Sequence, residues 1–154
     1  MYKKSFILYT GLVLLLTACG NDLTAEPTKN NETTIDLTKI STGALTDQQP
    51  SNEAKDLLSK HDEITTVKAV NTDEAMLIAI EIEHMKRFEL AKIKKQYQKE
   101  MKKQFKNLDV EFSTDKKIII ELDKLEKQIL NNEISSKELK KRLKQIVTLS
   151  KEQT

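Results

Sequence analysis

The chain has 154 residues, with 26 Lys or Arg against 24 Asp or Glu, one cysteine, three glycines and two prolines. A single cysteine excludes any disulfide within the chain, and glycines confined to positions 11, 20 and 43 exclude a glycine-built phosphate loop in the remainder. The length suits one small domain with its own core.

The N-terminus begins with a basic pair, Lys3 and Lys4, and continues into an apolar run from Phe6 to Leu16. That run is shorter than the ~20 residues a membrane span needs. A basic start, a short apolar core and small residues at its end predict a secretory signal over residues 1–18. Leu16-Thr17-Ala18-Cys19 has the form of a lipobox. Small residues let the extended backbone enter a peptidase cleft, and Cys19 offers the thiol for a diacylglyceryl thioether. At about 0.8 kcal/mol per buried CH₂, two acyl chains of roughly 16 carbons would contribute on the order of 25 kcal/mol. The expectation is a chain lipid-anchored at Cys19 on the extracytoplasmic face of the cell membrane, with palmitate-type acyl chains.

Residues 19–52 are rich in Thr, Asn, Asp and Gln and carry two lysines against five carboxylates. Such a stretch buries too little apolar surface to offset its chain entropy. It reads as a disordered tether. From 53 to 154 the balance reverses to 22 basic against 19 acidic residues. This part predicts a small α+β domain with a C-terminal helical extension.

Within it, Ser51 or Asn52 is placed to cap a short helix bearing Ala54, Leu57, Leu58 and His61 on one face. Ile64–Val70 is β-branched and Ala75–Ile82 alternates, so the two predict a hairpin around the polar turn 71–74. Residues 85–106 predict a long amphipathic helix with Leu90, Ile93, Tyr97, Met101 and Phe105 on its stripe. Leu108–Phe112 alternates as a third strand. Ser113 or Thr114 then caps a helix carrying Ile118, Leu122, Leu125 and Ile129, with Asp115 near its positive end. Asn131-Asn132 breaks that helix, and Ser135-Ser-Lys-Glu138 forms a capping box for the last one. The order is α-β-β-α-β-α-α, read as a small three-stranded sheet with helices packed on one face.

The ordered set of segments resembles the YhcN/YlaJ family of sporulation lipoproteins from spore-forming Gram-positive bacteria. The segments are the lipobox and polar tether, then Val67-Lys-Ala-Val-Asn71 leading into Ala75–Ile82. A Lys-rich helix and Val110-Glu-Phe-Ser-Thr-Asp115 follow. The C-terminal helix is similar to the YlaJ branch. Many relatives have proline after the Ser-Thr-Asp turn, where this chain has Lys116 and Lys117. The resemblance implies a lipoprotein of the forespore or spore inner membrane that contributes to spore germination or outgrowth. It brings no catalytic residues and no cofactor.

The residues themselves point to little chemistry. Between Lys86 and Lys106 nine basic residues meet only Glu89 and Glu100. Lys94, Lys95, Lys102 and Lys103 stand out as a surface for anionic lipid headgroups or wall polymers, against the alternative of a merely solvated face. Near an anionic membrane each such charge is worth about 1 kcal/mol. His61 and His84 lie in different elements without metal-ligand spacing, so no metal site is expected. A wall-modifying enzyme would need paired carboxylates in a cleft, which a short domain without loop glycines accommodates poorly. The expected partners are the membrane and possible envelope proteins or wall polymers, and no nucleic acid.

Overall fold

A computed structural model describes Ile40 and residues 46–152. The elements are α1 (Gln49–Leu58), β1 (Ile64–Asn71), β2 (Ala75–Ile82), a 3₁₀ helix (His84–Glu89), α2 (Leu90–Gln104), β3 (Asp109–Ser113), α3 (Lys116–Leu130) and α4 (Ser136–Glu152). This is the α+β order anticipated from the sequence. The strands form one mixed sheet in the order β1-β2-β3. β1 and β2 pair antiparallel as a hairpin, and β2 pairs parallel with β3. Parallel neighbours need a long crossover, and α2 supplies it.

Helices cover both faces of the sheet, not one. Side chains alternate along a strand, and both sets on β2 are apolar. Met76, Ile78, Ile80 and Ile82 pack with Ile93, Tyr97 and Met101 of α2 and with Ala54 and Leu58 of α1. Leu77 and Ala79 point the other way, into a second core with Ile118, Leu122 and Leu125 of α3 and Leu139 and Leu143 of α4. Leu77 and Ala79 are fully buried. A β-bulge between Ile64 and Thr66 shifts the hairpin register by one residue. That shift puts Ile64 on the same face as Val67.

β1 is an edge strand, and the free edge is closed by side chains. The Gln48 amide accepts from the Asn71 N–H (3.2 Å) and donates to the Asn71 carbonyl (2.7 Å), as a neighbouring strand would. The Asn71 side chain in turn caps α1: its Oδ1 accepts from the Ser51 N–H and hydroxyl, at 3.2 and 2.7 Å. Its Nδ2 donates to the carbonyls of Asp47 and Thr72. The cap expected from Ser51 or Asn52 is therefore supplied from the neighbouring strand. Asn52 instead exchanges two hydrogen bonds with the backbone of Ile40. α1 starts at Gln49, with Gln48 and Ser51 buried, inside the stretch anticipated as tether. Gln48 is held there because it completes the edge of β1.

Further along that edge the Ala69 N–H donates to Glu126 Oε1 at 3.1 Å. Glu126 reaches over from α3 and meets Lys55 of α1 at 2.6 Å. Lys68 of β1 lies 3.6 Å from the other carboxylate oxygen and 2.9 Å from Asp123. Lys55 and Glu126 are fully buried. The pair thus ties the helix layers together around the sheet edge.

The remaining caps follow local chemistry. Asp115 itself is the N-cap of α3, accepting from the Lys117 N–H at 2.6 Å, while Ser113 Oγ accepts from the Asp115 N–H. Asn132 adopts φ 56° after α3, which Asn tolerates better than most residues. Ser135 Oγ accepts from the Glu138 N–H at the start of α4.

Removing one member of a buried ion pair leaves the other charge uncompensated. Lys55→Met and Glu126→Gln are each expected to lower unfolding free energy by about 3 kcal/mol. The double variant should lose less than the sum by about 1–3 kcal/mol. Urea denaturation of the four-member cycle measures this, and strict additivity would show that the pair does not couple.

Candidate functional site

The strongest departure from an evenly mixed surface is on α2. Its buried residues Ile93, Tyr97 and Met101 fix one side against the sheet. The helical repeat then turns Lys92, Lys95, Lys99, Lys102 and Lys103 outward as a stripe, all exposed. Lys94 lies on the flank and is half-buried. Of the four lysines singled out from the sequence, the structure therefore brings Lys95, Lys102 and Lys103 onto one exposed face and sets Lys94 beside it. Among the described residues, no carboxylate pairs with any of these four. Lys92 meets Glu89 at 3.8 Å, one helical turn away. Like charges one turn apart repel, so this stripe carries a local field that its own helix does not neutralise. Cys19 lies outside the described residues, as do the signal segment and most of the anticipated tether.

The expected continuous helix from residue 85 does not form. His84–Glu89 is a 3₁₀ helix without a buried side chain, and α2 proper begins at Leu90. Met85 and Phe88 are left in solvent, at 81% and 100% exposure. The sequence signal was available, because neither residue falls on the stripe that Leu90, Ile93 and Tyr97 define.

His61 packs its ring on Tyr97, with centroids 4.6 Å apart. The Tyr97 hydroxyl donates to Glu63. This bond, followed by the residue's own backbone amide, holds the Glu63 carboxyl below its ordinary value. Burial, with the neighbouring Glu63 charge, pushes the Tyr97 hydroxyl well above its ordinary value. At the buried edge, desolvation drives the Glu126 carboxyl upward, against the pull of Lys55 and Lys68. Burial also acts to raise Asp123, but hydrogen bonds from Lys127 and Lys68 outweigh it and leave Asp123 lowered.

Among the described residues there is no group of three or more His, Cys, Asp or Glu placed to hold a metal ion. No helix there is long and apolar enough to cross a membrane. An open groove of about 400 Å³ lies between the start of α1, the β1–β2 turn and the α2–β3 loop, with Asp47, Asp73 and Lys106 on its rim. Asp73 on its rim is paired with Lys140 at 2.8 Å. No protein-family model, curated protein or solved structure matches the chain.

The Tyr97–Glu63 bond has a pH signature. A lowered carboxyl stabilises the fold above its unfolded value near 4.3, and that contribution is lost as pH falls through the native value. A raised hydroxyl contributes fully below about 10 and is lost as pH rises beyond it. The advantage of the wild type over Tyr97→Phe should therefore form a plateau of about 1–2 kcal/mol between roughly pH 5 and pH 10, shrinking on both sides. Denaturant titrations of both proteins across pH measure it, and a pH-independent difference would remove the bond from the account.

Proposed function

We propose that this protein is a lipid-anchored, non-enzymatic sporulation lipoprotein of the extracytoplasmic membrane face. It contributes to spore germination or outgrowth through envelope or protein contacts. The lipobox ending at Cys19, together with the resemblance to the YhcN/YlaJ lipoproteins, supports this reading. The anchor holds the protein at the membrane, and the folded domain presents its surface to whatever lies there. Cys19→Ser should abolish incorporation of labelled palmitate and release the protein from the membrane fraction. Retention with no labelled lipid on the wild type would sink the anchor. The sporulation role is tested by the germination rate of a strain lacking the protein.

A second reading is favoured by one observation, the exposed lysine stripe of α2. On this reading the domain binds anionic lipid headgroups or wall polymers through Lys94, Lys95, Lys102 and Lys103. At about 1 kcal/mol per charge near an anionic surface, changing all four to Glu should weaken binding by about 1,000-fold or more. The slope of binding against salt should fall with it. Binding of wall polymer or anionic vesicles, measured across salt concentrations, checks this, and unchanged binding would show that the stripe is only solvated.

A further inference from the structure

The 3₁₀ helix at His84–Glu89 exposes apolar surface in a place where nothing forces it. Side chains three apart eclipse in a 3₁₀ helix, so Met85 and Phe88 stand together on one side. Stepping back from Leu90 at about 120° per residue places both roughly opposite the buried stripe of α2, on the side of Lys95, Lys99 and Lys102. From Glu83 to Lys95, five basic residues (Lys86, Arg87, Lys92, Lys94 and Lys95) accompany only Glu83 and Glu89. Phe88 is fully exposed, and no side chain in the turn is buried. The turn thus offers two large apolar groups ringed and followed by positive charge.

The size of this patch selects among occupants. Two such side chains present on the order of 350 Å², well short of the ~800 Å² per partner that a stable protein interface buries. A wall polyanion would use the charges but has no place for Phe88. A bilayer interface takes both, since apolar side chains enter the acyl boundary while Lys and Arg stay at the headgroups.

We propose that Met85 and Phe88 insert into the interfacial layer of an anionic bilayer, with Lys86, Arg87 and the outward lysines of α2 on its headgroups. The inference deepens the membrane reading above, resting on the anchor only to bring the domain near the surface. Insertion would set the orientation of the domain, laying the outer side of α2 on the membrane and turning α3 and α4 away from it.

The chain has no tryptophan, so Phe88→Trp in the full lipidated protein introduces a sole indole at the tip. Because Phe88 makes no buried contact, the variant should retain the wild-type melting temperature. With phosphatidylglycerol vesicles the indole emission should shift to the blue and lose most of its intensity to lipids brominated high on the acyl chain. With phosphatidylcholine vesicles it should do neither. Adding Lys86→Ala and Arg87→Ala should lower the ratio of inserted to water-exposed indole roughly 25-fold, at about five-fold per charge. A water-like emission with both lipids overturns the insertion, and a lipid-free blue shift that grows with protein concentration assigns the patch to a second copy instead. Vesicle flotation of the same samples separates the two readings. Protein that floats with its indole in water keeps the anchor and loses the insertion. An indole that shifts at high lipid in protein that fails to float keeps the insertion and loses the anchor. Neither signal overturns both.

Discussion

The fold depends on how the open edge of β1 is closed. A short sheet with apolar side chains on both faces must keep its edge amides away from other chains, because an unpaired edge is a template for association. Here the outward amides at Ala69 and Asn71 are taken by Glu126 and Gln48. Both acceptors come from outside the sheet, one from each helix layer. Placing Glu126 there buries a carboxylate, and a buried carboxylate requires cations. Lys55 arrives from α1 and Lys68 from β1 itself. One backbone donor thus determines a network that joins α1, β1 and α3. Such networks add little net stability compared with apolar packing, yet losing one member is expensive. In the observed arrangement of α1 and α3 the Glu126 carboxylate meets both cations, Lys55 at 2.6 Å and Lys68 at 3.6 Å.

That arrangement also decides which surface is left for function. α1 and α2 cover one face of the sheet, and α3 with α4 covers the other. Carboxylates are spent on the α3 side, where Asp123 holds Lys68 and Lys127 and Glu121 holds Lys124. Among the described residues the lysines of α2 meet one carboxylate, Glu89, which lies 3.8 Å from Lys92. The charge imbalance of the domain is therefore concentrated by the fold on one helix and is not spread over the surface.

Much of this architecture was legible in the chain. The β-branched run at 64–70, the alternation at 75–82 and 108–112 and the caps near 115 and 135 all mark elements that form. Two features were hidden for definite reasons. The two-faced sheet was signalled only by Leu77 and Ala79, and periodicity cannot tell a buried second face from a mixed one when a strand also carries Glu81. The edge network was harder still. Lys68 looks like a solvent-facing residue of a half-buried strand, and Glu126 looks like surface on a helix. Only the tertiary meeting of α1 and α3 makes them interior. At the site the lysine positions were readable from helical spacing, and so was the exposure of Met85 and Phe88, which fall off the stripe that Leu90, Ile93 and Tyr97 define. What spacing did not show is that His84–Glu89 turns as a 3₁₀ helix.

The division between anchor and surface follows from magnitudes. Two acyl chains on Cys19, as proposed, would hold the protein at the membrane by far more than any set of exposed lysines could add. The 26 residues between Cys19 and Thr46 also bound the distance. At no more than ~3.6 Å per residue, the domain would stay within about 100 Å of the proposed anchor point. Inside that radius membrane contact would become intramolecular, and an interaction too weak to recruit a free protein would be populated through effective concentration. A lysine stripe and one apolar turn are of that weak class. With the proposed anchor in place retention would already be saturated, so their effect would fall on orientation. A domain oriented in that way would present the same side of α3 and α4 outward in every copy.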